Sequence, residues 1–132
     1  MADTMKFSLV SPERLLTSVE ARSAQIPGME GEFTALPDHA PFLSTLRPGI
    51  VSVTPAEGGV SEYFVTGGFA EVSPEATSVL AEEAVERDAL KREWLEEKLQ
   101  EAEAALETAP DHARIAAGQK VNDFKVALDQ LT

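Results

Sequence analysis

Between Ile26 and Gly49 the sequence IPGMEGEFTALPDHAPFLSTLRPG places four of the chain's eight prolines and three of its eight glycines within 24 residues. Proline fixes φ and removes a backbone donor, and glycine opens the left-handed region, so no long regular element crosses this stretch. It can form a set of rigid turns joining short apolar runs at Phe33, Leu36, Phe42, Leu43 and Leu46. Turns of this kind in a compact β structure hold loops in fixed positions for a partner to read.

The flanking residues read as strands. Met5, Phe7 and Leu9 alternate with Lys6 and Ser8 before Pro12, the period of a half-buried strand. A second strand is expected over Val19 to Ile26, with Val19 and Ala21 alternating with Glu20 and Arg22. After Pro48-Gly49, Ile50 to Thr54 forms a strand, Glu57-Gly58-Gly59 turns the chain, and Val60 to Thr66 returns as its hairpin partner. Gly67-Gly68 allows a bend before Phe69 to Val72. Ser73 to Ala76 supplies a further turn, and Thr77 to Ala81 the last strand. Short strands separated by frequent turns predict an antiparallel sandwich or barrel.

Near Glu82 glycine and proline almost vanish and Ala, Glu, Leu, Lys and Gln take over, which predicts a helical arm. The division expected is a β-sandwich domain over 1–86 and a helical hairpin over 87–132. Leu95, Leu99, Ala102 and Leu106 repeat at four-three spacing on the first helix, and Glu93, Glu96, Glu97, Glu101 and Glu103 fill much of its remaining circumference. Thr108-Ala109-Pro110-Asp111 reads as a capping signal, with Thr108 as N-cap of a second helix. That helix carries Ala117, Val121, Phe124, Leu128 and Leu131, so the two seams can close as an antiparallel hairpin. Trp94 extends the first seam or offers an aromatic anchor to a partner.

Composition narrows the function. A net charge of −12 argues against nucleic acid and against charge-driven binding to an anionic lipid surface, and favours a protein or cationic partner. No cysteine is present, which excludes disulfides and thiolate metal sites. No run of eighteen apolar residues and no signal-like start is found, so neither direct membrane insertion nor a secretion signal is expected. The two histidines, His39 and His112, each sit in a Pro-Asp-His-Ala tetrapeptide, read here as coincidence. Asp38, His39, Glu30 and Glu32 could be imagined around a hard metal, yet no ligand spacing recurs and no metal is expected. No nucleophile elbow, dinucleotide fingerprint or phosphate loop occurs, so no catalytic residues are assigned.

The organising stretch resembles the epsilon subunit family of F-type ATP synthases. The likeness rests on Gly31-Glu32, on Leu36-Pro37-Asp38-His39-Ala40-Pro41, on Leu46-Arg47-Pro48-Gly49, on Gly67 to Val72, and on Val79-Leu80-Ala81-Glu82. It implies a ten-stranded N-terminal β-sandwich and a C-terminal helical hairpin, and a non-catalytic role in the central stalk of a proton-translocating ATP synthase. By that resemblance the sandwich binds the gamma subunit and the ring of c subunits, peripherally at the cytoplasmic face of the bacterial inner membrane. The family's ring-facing loop maps onto Glu30, Gly31 and Glu32, with His39 in the neighbouring loop. Hairpins of that family can reach the catalytic alpha/beta head and block hydrolysis, which implies a regulatory role here, but the second helix ends Val126-Ala127-Leu128-Asp129-Gln130-Leu131-Thr132 with little positive charge, so weak inhibition is expected. Where the family has a second glycine after the ring loop, this chain has Thr34-Ala35.

Members whose hairpin binds ATP resemble one another in an Ile/Leu-Asp-x-x-Arg-Ala motif. The matching residues here are Arg87 to Arg92, in which Asp88 is kept, Lys91 replaces arginine, and Arg92 stands where a small residue is expected. Lysine lacks the planar guanidinium fork, so ATP as a regulatory ligand at Asp88, Lys91 and Arg92 is disfavoured, and no cofactor is assigned. The alternative to a stalk subunit is a free-standing protein- or ligand-binding sandwich with a helical lid.

Overall fold

A computed structural model describes residues 3–131, which divide into two compact units, the first ending at Arg87 and the second beginning at Asp88. The first unit holds β1 (Met5–Ser11), β2 (Arg14–Gly28), β3 (Gly31–Ala35), β4 (Phe42–Leu46), β5 (Gly49–Pro55), β6 (Ser61–Val65), β7 (Gly68–Val72), β8 (Ala76–Ala81) and β9 (Ala84–Glu86). The second holds α1 (Arg92–Thr108) and α2 (Arg114–Leu131).

The strands run β1-β8-β7-β4-β2-β5-β6-β9, β3 pairs with β2, and β1 pairs with β2 as well, which closes β2-β1-β8-β7-β4 into a circuit. The pairings are antiparallel apart from β1 with β8. Nine strands are described rather than ten, the longest being the fifteen-residue Arg14–Gly28. Its first half pairs with β1, and its second half with β5 and β3.

This long strand corrects the expected Val19–Ile26 span, and the reason is register. Leu9 pairs with Thr17 but Val10 with Leu15, and Ala21 pairs with Pro55 but Ser23 with Thr54, so Leu16 and Arg22 are extra residues on β2. Each bulge shifts the inward phase by one. Ala21 is buried before the second bulge and Ala24 and Ile26 after it, while Val19 stays 37% exposed. The core forms from Met5, Phe7, Leu9, Ala24, Ile26, Val51, Val53, Val65, Val72 and Val79 among others, the inward sets of the alternating strands. The Thr77 hydroxyl, buried among them, donates to the Met5 sulfur at 3.2 Å.

At Gly68, with φ +133, an added Cβ would lie 2.0 Å from the Leu80 carbonyl oxygen, so only glycine lets β7 start this close to β8. Thr77–Ala81 is not the last strand. Ala84–Glu86 forms β9 against Tyr63–Val65, and a 3-10 turn at Arg87–Ala89 precedes α1, so the helix begins later than the change in composition near Glu82 suggests.

In the helical unit α1 and α2 form a hairpin on the seam expected, with Leu95, Ala102, Val121, Phe124 and Leu128 buried. Thr108 is not an N-cap. It is the last residue of α1, and its hydroxyl lies within 3.4 Å of the Ala104 and Ala105 carbonyls as a donor. Pro110 precedes a 3-10 turn over Asp111–Ala113, and α2 starts at Arg114. The Arg114 guanidinium spans the elbow to donate to the Leu106 carbonyl at 3.2 Å. No helix among the described residues is long and apolar enough to cross a membrane.

Candidate functional site

The turn between β2 and β3 is shaped by two glycines. Gly31 takes φ 142, a conformation that L side chains rarely adopt. At Gly28 a Cβ would meet the Gly31 carbonyl at 2.8 Å, the Phe33 ring at 3.1 Å and the Ser44 hydroxyl at 3.1 Å. Its missing side chain is what lets Phe33 and Ser44 close over the end of β2. Two backbone bonds clamp the turn to β4, from Met29 N–H to the Thr45 carbonyl at 2.8 Å and from Arg47 N–H to the Pro27 carbonyl at 3.0 Å. The result is a groove of about 460 Å³ lined by Met29 to Phe33 and Phe42 to Thr45. Glu30 and Glu32 are exposed at its rim, while Leu43 is 67% exposed and Phe42 45%.

The second loop, from Leu36 to Pro41, is held from both sides. Asp38 adopts φ 66, the one left-handed non-glycine residue among those described, and its N–H donates to the Pro74 carbonyl at 2.9 Å. His39 donates its N–H to the Leu36 carbonyl at 3.2 Å and its Nδ1–H to the Ala40 carbonyl at 2.6 Å. The two loops meet through rings. Phe33 and Phe42 stack edge to face with centroids 5.2 Å apart, and His39 lies 6.3 Å from Phe42. His39 is thereby linked through Phe42 to Phe33, the neighbour of Glu32 in β3, while the Glu30–Gly31 turn opens that strand and the His39 loop follows its end. Sequence reasoning singled out all four and missed the pair Phe33–Phe42 that joins them. The available signal was the apolar residue on either side of the Pro37–Pro41 loop.

A second surface crosses the sheet. Leu15 is paired with Val10, Val10 with Leu80, Leu80 with Phe69, and Phe69 with Thr45. Directly opposed residues share a sheet face, so these side chains form one continuous row. Leu15, Leu80 and Phe69 are more than half exposed, an apolar band of the kind that monomeric surfaces rarely leave open. The sequence conceals it because its members lie far apart along the chain.

In the helical unit Asp88 sits in the 3-10 turn and Lys91 at the N-cap of α1, both exposed. Arg92 Nε lies 3.7 Å from Glu96. Arg114 stands at the other end of the hairpin beside Leu106, about 25 Å along a helix of this length. Lys120 and Lys125 project from α2 as exposed side chains. Arg114 is thus not brought to Asp88, Lys91 and Arg92. Among the described residues no group of three His, Asp or Glu side chains is placed to hold a metal ion.

Comparison with known proteins agrees with this architecture. Residues 4–87 match the family model described as the ATP synthase delta/epsilon chain β-sandwich domain. A protein of Ruegeria sp. (strain TM1040), named ATP synthase epsilon chain, is 55% identical over 84% of this chain and 80% of its own length. Another of that name, from Jannaschia sp. (strain CCS1), is 44% identical over 97% of this chain and 96% of its own. A chain in the solved Euglena gracilis mitochondrial ATP synthase OSCP/F1/c-ring assembly shares the fold, with a TM-score of 0.76 at 24% identity over 100% of this chain and 84% of that one. These likenesses do not favour a free-standing binding module with a helical lid: the chain belongs to the ATP synthase delta/epsilon chain family, as a non-catalytic subunit of that complex.

Proposed function

We propose that the chain couples rotation in the central stalk by two contacts: the groove end carrying Glu30, Gly31, Glu32 and His39 against the ring of c subunits, and the row Leu15-Val10-Leu80-Phe69 against the gamma subunit. The observation that carries the reading is the Phe33–Phe42 pair, which packs the strand leading out of the Glu30 turn against the strand leading out of the His39 loop. A contact under torque needs positions held within a fraction of an ångström, and locked rings with clamped turns supply this. Exposed carboxylates beside an apolar floor suit a partner loop that offers both a cation and an aliphatic stem. The apolar row suits a broad, dry protein interface, since burying it recovers about 25 cal/mol for each Å² removed from water.

The working location is the cytoplasmic face of the bacterial inner membrane, peripheral to the bilayer, in keeping with the bacterial sources of the relatives. The sandwich and the helical hairpin act as separate domains, the second regulating hydrolysis by reaching the catalytic head. ATP is not proposed as a ligand, because Lys91 lacks the guanidinium fork and Arg114 stands at the opposite end of the hairpin from Asp88, Lys91 and Arg92.

Reversing both charges, Glu30→Lys with Glu32→Lys, is expected to weaken ATP-driven proton pumping in the assembled enzyme. Full pumping by the double variant removes these residues from the ring contact. Replacing Phe69 and Leu80 with serine is expected to reduce co-purification with gamma; undiminished recovery removes the row. Truncation after Arg87 retains β9 and tests the hairpin, because unchanged hydrolysis in the assembly means the hairpin is not a brake.

A further inference from the structure

Among the described residues two strands have a single neighbour, β9 and β3. The first is three residues long. The second is five residues long and leads out of the turn that carries Glu30. Which way its backbone faces follows from the clamp described above. Pro27 offers its carbonyl, and Met29 its N–H, to the β4 side. Successive strand residues point their N–H and C=O groups to opposite edges, so Ile26 and Gly28 face β3. Their ladder partners are Phe33 and Gly31. The N–H and C=O groups of Glu32 and Thr34 therefore point away from β2, toward the open edge, and both residues are exposed.

An open edge invites another strand, and native sheets guard it with charge. A second copy of this chain, itself at −12, is repelled by Glu30 and Glu32, whereas a segment bearing lysine or arginine is attracted. We infer that the free edge of β3 is a strand-addition site, at which an extended, lysine- or arginine-bearing segment of a neighbouring stalk subunit pairs with the Glu32 and Thr34 backbone while its cations meet Glu30 and Glu32. This rests on the stalk reading above and adds the form of the contact, in which main-chain hydrogen bonds fix register and the carboxylates select the partner. Glu32 acts in it through its backbone as well as its side chain.

Amide hydrogen exchange, resolved at Glu32 and Thr34, reads the contact in the full chain alone and after assembly with the gamma subunit and the detergent-solubilised ring. Both amides are expected to exchange freely in the isolated chain and to slow about tenfold or more on assembly. Thr34→Pro deletes an outward N–H and no bond to β2, and is expected to lower affinity about tenfold, whereas Thr34→Ala keeps the donor and the affinity. Should the proline variant fail to fold, the exchange measurement on the unaltered chain decides alone. Unchanged exchange at both amides in an assembly that forms overturns strand addition and leaves the stalk reading standing. If neither gamma nor the ring binds the unaltered chain, the stalk reading falls, and this inference with it.

Discussion

Gly28→Ala tests the groove at its base. The new Cβ would stand 2.8 Å from the Gly31 carbonyl oxygen, inside the 3.0 Å that real Cβ atoms keep, and 3.1 Å from both the Phe33 ring and the Ser44 hydroxyl. A ring or a hydroxyl can move aside, but the Gly31 carbonyl is backbone within the turn that carries Glu30. Relief must therefore shift the turn. Overpacking of one methyl costs about 1–3 kcal/mol. At about 2 kcal/mol, a domain of this size loses roughly 8–16 °C in Tm. Gly59→Ala serves as the control, since its Cβ meets nothing within 4 Å, and it should melt with the unaltered chain. Thermal unfolding followed by circular dichroism gives the first number, and ATP-driven proton pumping in the reassembled complex gives the second. Pumping should fall in Gly28→Ala even well below its Tm, because the carboxylates are displaced. A variant that melts within about 2 °C of the parent and pumps normally refutes the packing argument.

Substitutions at three other positions separate backbone geometry from contact. Gly68→Ala places a methyl on the Leu80 carbonyl at a positive φ, and should leave little folded protein at 37 °C by circular dichroism. Gly118→Ala lies in open space within α2 and should stabilise that helix by about 1 kcal/mol, read as slower amide exchange along it. Asp38→Val, forced to φ 66, should cost about 1–2 kcal/mol in denaturant titration, whereas Asp38→Gly should be tolerated; equal stability of the two would mean that the loop has relaxed to another conformation.

Punctuation by turns was the legible part of this chain. Glu57-Gly58-Gly59 and Gly67-Gly68 separate strands where the residues say they should, and Met5, Phe7 and Leu9 keep one phase because β1 has no extra residue of its own, whereas the Pro-rich stretch, expected as a set of turns, itself holds β3 and β4. What failed were the phase, extent and capping of elements that a non-adjacent neighbour fixes. The bulges at Leu16 and Arg22 are defined only by pairing with β1 and β5, so alternation read from Val19 and Ala21 lost phase before Ala24. Ala84-Val85-Glu86 has helix-favouring composition, and only pairing with Tyr63–Val65 makes it a strand. Thr108 has the residue type of an N-cap, yet its hydroxyl points back into the helix it ends. At the candidate site Glu30, Gly31, Glu32 and His39 were legible by resemblance to a family. The apolar row was not, because its four members belong to four different strands.

The fifteen residues from Arg14 to Gly28 span roughly 45 Å if extended, with the groove at one end and Leu15 of the apolar row at the other. A push delivered at the Glu30 turn travels along covalent bonds to the opposite surface without passing through a flexible linker. Arg22 and Leu16, the two surplus residues, are where the register of that strut shifts against β5 and β1, so a load carried along it meets its two irregular steps there.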